Sequence, residues 1–302
     1  MSKQLRSSLL LLVTAMVWGL AFVAQDVAAD SVPSATFNAI RMALGSAMLL
    51  PVIFFMDKKG GSVPYRQMAP GERRALWVGG ALCGTLLALA SYAQQLGIAL
   101  GAGPGKAAFI TALYIVLVPL TRLIGGRGGS RRLWIAVILC AVGLYLLCIQ
   151  GAFSLAPVDW VLMLCALGYT GQILAVDHYA PRTDCVKLSC VQFASAALVS
   201  GLLALLTETT TLSAIRSALI PILYAGIFST AVGYTLQVVA QKDADPSTAS
   251  LIMSCESIFA LLFGWILLGD TLSLREIAGC VCMAGAIVMA QVGEGKKEKG
   301  NP

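Results

Sequence analysis

Residues 104–146 read PGKAAFITALYIVLVPLTRLIGGRGGSRRLWIAVILCAVGLYL, and residues 246–288 read PSTASLIMSCESIFALLFGWILLGDTLSLREIAGCVCMAGAIV. Laid on one another at a constant offset of 142, they match without a gap at Pro104 and Pro246, Ala107 and Ala249, Ile110 and Ile252, and Leu120 and Leu262. Ile124 and Ile266, Ala136 and Ala278, Cys140 and Cys282, and Gly143 and Gly285 keep the same register. Upstream it also pairs Gly84 with Gly226, Tyr92 with Tyr234 and Gln95 with Gln237. So long an echo at one register divides an apolar chain into two copies of one unit, the pattern of a membrane carrier made of two equivalent halves.

The composition names the solvent. Of 302 residues 58% are hydrophobic and only 12% charged, with a mean hydropathy of +0.83, a balance outside the soluble globular classes. A spanning helix needs about 20 mostly apolar residues, and such runs recur from end to end. The net charge of +6 does not indicate nucleic acid, because Lys and Arg sit in connectors and tails rather than on one face. Nine Cys lie singly in apolar runs apart from Cys280 and Cys282, and His178 stands alone. Without ligand spacing, the Cys read as small buried hydrophobes, and no metal or cofactor is expected. Lys3 and Arg6 before Leu9 to Val13 resemble a signal peptide. Trp18-Gly19, however, sits where the second copy has Leu167-Gly168, which makes this segment a retained first helix.

Ten spanning helices are expected, at 8–26, 34–55, 74–98, 104–123 and 132–149 in the first half and 158–176, 186–206, 217–240, 247–268 and 274–292 in the second. Pro33, Pro104, Pro157 and Pro246 stand at or just before helix starts, whereas Pro119 falls inside the fourth helix and is expected to kink it. With the N-terminus inside, nearly all connector Lys and Arg fall on one side of the membrane; Arg216 and Arg275 are the exceptions. The positive-inside rule then places both termini in the cytoplasm and Ser154 in an outward connector. Five helices per copy is an odd number, so the second copy enters the membrane from the opposite face. The expected fold is an all-α integral membrane protein of ten transmembrane helices in two inverted five-helix repeats, 1–150 and 151–293, followed by a charged cytoplasmic tail, 294–302. The expected location is the plasma (inner) membrane.

Trp18-Gly19-Leu20-Ala21-Phe22, Phe37-Asn38-Ala39-Ile40-Arg41, Glu256-Ser257-Ile258-Phe259-Ala260, Leu268-Gly269-Asp270, Gly279 and Ala284-Gly285 are similar to the drug/metabolite transporter superfamily, in its EamA-like ten-helix family. The likeness covers nearly the whole chain. Ser257 stands where Pro is common in that family, which bears on a helix bend, and Asp270 where Glu is common. The resemblance implies a basket of helices moving small polar metabolites, often amino acids. A broad-specificity drug or nucleotide-sugar-like carrier is the alternative.

Ionisable groups at membrane depth cost about 2.5–3.5 kcal/mol on insertion scales, so those that persist usually face protein or water. Arg41 and Glu256 lie deep in the second and ninth helices; Lys106, at the mouth of the fourth, is expected at the interface. Gln192 aligns with Arg41 after a short gap, Tyr114 aligns with Glu256, and Tyr92 and Gln95 match Tyr234 and Gln237. Paired positions in inverted copies come to face one central space, where amides and phenols bind a zwitterion. Gln25, Asn38 and Gln172 are expected to join them, with Trp18 and Tyr169 as walls. The competing readings are snorkelling for Arg41, a structural carboxyl for Glu256, and interhelical hydrogen bonds for the rest. The expected partners are a small-molecule substrate, the lipid bilayer and, through Glu256, protons, with no nucleic acid. An integral membrane enzyme would need clustered acid, base, nucleophile or metal groups, and the scattered carboxylates offer no such cluster. A non-transporting scaffold would not require matched polar residues in inverted halves. Gly101 to Gly105 lacks the strand and the Lys-Ser/Thr pattern of a phosphate loop.

Overall fold

Prolines open half of the spanning helices, where a missing N–H leaves no hydrogen bond unmade. The computed structural model describes residues 3–102, 104–126, 128–149, 156–263, 265–266 and 273–298. The first five helices are α1 (Lys3–Ala29), α2 (Ser34–Lys58, after Pro33), α3 (Pro70–Ala99), α4 (Pro104–Thr111 continued by Tyr114–Ile124) and α5 (Arg131–Cys148). The second five are α6 (Pro157–Tyr179), α7 (Cys185–Thr207), α8 (Leu219–Gln241), α9 (Pro246–Met253 continued by Glu256–Phe263) and α10 (Leu274–Glu298). Among the described residues these are the ten helices long and apolar enough to cross a membrane. α10 runs beyond the expected end at residue 292, so the charged tail is helical as far as Glu298. Ser154, Asp270 and the expected end of the ninth helix at Leu268 lie outside the described residues.

Polarity is distributed as lipid requires. Ile124, Leu205, Leu206 and Ile220 are exposed on the outside of the bundle, while Asn38, Gln95, Gln172 and Gln192 are completely buried. No water is available at membrane depth, so polar side chains must find partners on neighbouring helices. α2 packs along α7 and α5 along α10, each helix against its own repeat mate; α3 packs along α6 as α8 packs along α1. These are the pairings that two inverted copies require.

The ends of α2 and α7 are tied by matching carboxylates. Glu208, just past α7, accepts from the Ala35 and Thr36 backbone N–H groups and the Thr36 hydroxyl, all at 2.8 Å. Asp57, in the last turn of α2, takes the Lys187 ammonium at 2.7 Å. Asp57 and Glu208 stand 151 residues apart, as do Thr36 and Lys187 and as do Arg41 and Gln192, so each tie is the repeat image of the other. Lys106, expected at the interface, pairs with the fully buried Asp159 at 2.7 Å and joins the starts of α4 and α6. Arg122, at the end of α4, pairs with Asp245, which caps α9.

Three helices depart from plain α geometry. Pro119 lies inside Tyr114–Ile124, as expected, and the fourth helix has a separate interruption earlier, at Ala112 and Leu113. It is closed by shortened bonds, Leu113 N to Ile110 O at 3.2 Å and Ile115 N to Ala112 O at 3.0 Å. α9 is interrupted 142 residues on, by Cys255 N to Ile252 O at 3.1 Å and Ser257 N to Ser254 O at 3.2 Å. The break therefore forms with Ser257 where Pro is common. The middle of α8, Ala225–Tyr234, is a π-helix.

Candidate functional site

The interruptions of α4 and α9 meet at the centre of the bundle. Tyr114 and Glu256 are the first residues after each break, and the Tyr114 hydroxyl donates to Glu256 Oε1 at 3.2 Å. Both side chains are buried. They form one wall of a central cavity that is also lined by Trp18, Phe22 and Gln25 of α1, Arg41 of α2, Gln94 of α3, Thr111 of α4, Tyr169 and Gln172 of α6, Ser229, Tyr234 and Gln237 of α8, and Met253 of α9. The space left between them is about 30 Å³, room for one or two waters rather than for a metabolite. This conformation is closed, so admitting a solute requires the lining helices to part.

Two hydrogen-bond chains cross the site. In the first, Tyr234 donates to the Tyr169 hydroxyl at 3.3 Å, and Tyr169 donates to Gln94 Oε1 at 3.4 Å. In the second, Gln237 Nε2 donates to Gln172 Oε1 at 3.2 Å and to Gln241 Oε1 at 2.8 Å, while Gln172 Nε2 donates to Gln192 Oε1 at 3.4 Å. The Trp18 and Tyr234 rings lie 4.6 Å apart and form the aromatic wall.

Arg41 is 2% exposed. Its Nε donates to Asn38 Oδ1 at 2.7 Å, one turn back on α2, but its Nη2 has no hydrogen-bond partner. Gln25 Oε1 and Gln237 Oε1 are likewise unpartnered. Leaving a buried polar atom unsatisfied costs about 1–3 kcal/mol, more for a charged group. A cationic donor and two amide acceptors thus line one cavity unpaired, beside a carboxyl held by a phenol. An anionic group beside Arg41 and an ammonium beside the amide oxygens and Glu256 would satisfy them.

Of the residues singled out in the sequence, Arg41, Glu256, Tyr114, Tyr234, Gln237, Trp18, Tyr169, Gln25 and Gln172 line the cavity. Asn38 and Gln192 stand behind it as hydrogen-bond partners of Arg41 and Gln172. Gln95 is buried off the cavity and donates to the Gln25 carbonyl at 2.9 Å. Tyr92 is outside the lining, and Gln94 provides the amide of α3 in the cavity. The matched positions Tyr92/Tyr234 and Gln95/Gln237 are therefore presented differently, because α3 is α-helical throughout and α8 is not. Thr111 and Ser229 also join the lining; Thr111 ends the first segment of α4, a position fixed by the break rather than by any local residue pattern. Among the described residues no group of His, Cys, Asp and Glu has the arrangement to hold a metal ion.

Ten spanning helices in two inverted repeats around a closed polar cavity define a multi-pass membrane carrier. The chain belongs to the EamA-like transporter family, which it matches over residues 5–149 and 157–291, one match per repeat. It is similar to an uncharacterized transporter of Archaeoglobus fulgidus, 25% identical over 291 residues that cover 96% of this chain and 87% of the relative. A solved crystal structure shares the fold with a TM-score of 0.76 at 17% identity, covering 95% of this chain and 96% of its own.

Proposed function

We propose that the protein is a secondary transporter of a small zwitterionic metabolite such as an amino acid, working as an exporter by alternating access between its two repeats. The observation that carries this reading is the set of unpartnered groups around one cavity, Arg41 Nη2 against Gln25 Oε1 and Gln237 Oε1. A carboxylate and an ammonium satisfy both kinds at once. The distribution of Lys and Arg supports cytoplasmic termini in a plasma membrane. Glu256 supports proton coupling, because a buried carboxyl facing the cavity can carry a proton through the cycle.

The test is thermal stabilisation of the purified protein by alanine, leucine, lysine and glutamate, followed by flux of the radiolabelled binder in proteoliposomes. At least one amino acid is expected to stabilise the protein and to exchange. Stabilisation by lipophilic dyes or nucleotide sugars with none by amino acids would overturn the reading. Glu256→Gln keeps the size and hydrogen bonding of the side chain but removes titration. It is expected to exchange substrate while failing to accumulate it under an imposed pH difference. Normal accumulation would make Glu256 structural, and equal loss of both activities would make it a binding residue.

A further inference from the structure

Ten consecutive π-helical residues, Ala225–Tyr234, occupy the middle of α8, whereas the equivalent residues 83–92 belong to unbroken α-helix in α3. π-Helix is rare, appears mostly as single turns, and is found often at functional sites, so a run this long needs support from outside its own backbone. α1 provides it. Trp18 Nε1 donates to the Ser229 carbonyl at 3.2 Å, and the Thr14 hydroxyl, shared with the Leu10 carbonyl at 3.0 Å, reaches the Gly233 carbonyl at 3.2 Å. Gly233 makes room for the indole, since a Cβ there would lie 2.7 Å from Trp18 Nε1. In the other repeat the positions 149 residues on from Thr14 and Trp18 are Met163 and Leu167, which have no N–H or O–H to give and are exposed. Donors are present where the helix is π and missing where it is α.

The consequence is a shift of register at the site. α3 turns Ser91 and Gln94 inward: Gln94 lines the cavity, and Ser91 meets the Tyr169 hydroxyl at 3.3 Å. α8 turns in Tyr234 and Gln237, the counterparts of Tyr92 and Gln95, one position later in the repeat. A π-bulge set into an α-helix takes in, across its i to i+5 bonds, one residue that an unbroken i to i+4 ladder would not hold, which accounts for a displacement of one residue.

We propose that Trp18 and Thr14 are positioning residues that hold α8 in its π register and thereby aim Tyr234 and Gln237 into the cavity. Without their two hydrogen bonds the α register competes, and it presents Gly233 and Leu236 in their place, exchanging a phenol and an amide for a bare backbone and an apolar chain. Only the role of Tyr234 and Gln237 in contacting substrate rests on the function proposed above.

The test needs no substrate. In full-length protein with its native Cys replaced, Gln172→Cys is combined with either Gln237→Cys or Leu236→Cys. A short bis-methanethiosulfonate linker is applied in lipid vesicles, and the bridged peptides are quantified by mass spectrometry. Bridging is expected to favour position 237 while Trp18 and Thr14 are intact. Trp18→Phe with Thr14→Val should move the ratio toward 236 by about tenfold, the worth of one full hydrogen bond from Trp18 and a shared one from Thr14. Thr14→Ser, which keeps the hydroxyl, should leave the ratio as it was. Deleting Val232, an exposed residue of the segment, removes the extra residue. It should keep the preference for 237 even in the Trp18→Phe/Thr14→Val chain, and restore folding if that chain alone does not fold. An unchanged ratio in the double variant, equal bridging at 236 and 237 with Trp18 and Thr14 intact, no bridging at either position in that same chain, or failure of the deletion to act in this way would each overturn the proposal. Because bridging is read without substrate, a failure to bind amino acids would count against the proposed function alone.

Discussion

The interruption in α4 and the one in α9 are closed by the same pair of i to i−3 bonds, yet the side chain that follows is a phenol in the first repeat and a carboxyl in the second. The same contrast holds between α2 and α7, where Arg41 in one half answers to Gln192 in the other. At these two places backbone geometry is shared by the two repeats while polarity is divided between them, the cation from the first and the carboxyl from the second. Alternating access between inverted repeats needs equivalent backbones, since each half must take the shape the other had. Recognition of a zwitterion needs the reverse, because the two ends of such a molecule differ.

The division can be broken most severely at the centre. Tyr114→Glu would set two buried carboxyls against each other, and Glu256→Tyr would leave two phenols; each single change is expected to lower amino-acid exchange by about 100-fold, the scale of losing a buried hydrogen bond and leaving its partner unpaired. The combined variant rebuilds the pair with its members exchanged between repeats. Recovery to within roughly tenfold of the parent, about 1.4 kcal/mol, is expected from the matching backbones. No recovery in proteoliposome exchange would show that the halves are not interchangeable at this point.

A smaller effect is expected at Arg41. Arg41→Lys keeps the charge but not the planar fork that reaches both Asn38 and the cavity, and should raise the apparent KM for amino-acid exchange by about 10- to 100-fold, the worth of one hydrogen bond to a charged group. Gln192→Ala, at the matching position behind the cavity, should change KM by less than about tenfold, since a neutral hydrogen bond contributes about 1 kcal/mol. Equal effects at both positions, or an unchanged KM for Arg41→Lys, would remove the recognition role of Arg41.

How far the sequence was legible follows the same line between shared geometry and local departure. The offset of 142 brought Tyr114 opposite Glu256 because both breaks fall at the same repeat position. It carried the fold for the same reason: apolar runs, proline starts and an odd helix number per copy act at every residue. Tyr234 lines the cavity and its match Tyr92 does not, because equivalence in sequence becomes equivalence in space only where both helices keep one geometry, and α8 does not. Its π segment depends on Thr14 and Trp18, more than 200 residues away in the chain, so nothing between Ala225 and Tyr234 announces it. The interruption of α4 was equally unannounced: it comes before Pro119, and its match in α9, at Ser254 and Cys255, has no proline at all.

The mildest comparison is one of packing, at Gly143 and Gly285, which are matched at the same offset. A Cβ on Gly143 would lie 2.8 Å from the Gly279 carbonyl oxygen and 2.7 Å from Met283 Cγ, because α5 and α10 touch backbone to backbone there. A Cβ on Gly285 would meet nothing nearer than Leu139 Cδ2 at 3.9 Å, an ordinary contact. Gly143→Ala should therefore destabilise the purified protein by about 1–3 kcal/mol, the usual range for overpacking. Gly285→Ala meets no such obstacle and gains helix propensity, so it should stabilise by roughly 0.5–1 kcal/mol. Thermal unfolding in one detergent, followed for both variants and the parent, reads the two signs directly. Equal destabilisation by both would mean that the Gly285 face of α10 is packed as tightly as the Gly143 face of α5. No destabilisation by Gly143→Ala would mean that the α5 and α10 backbones are not in contact at Gly143, and that the seam between the repeat mates lies elsewhere along these helices.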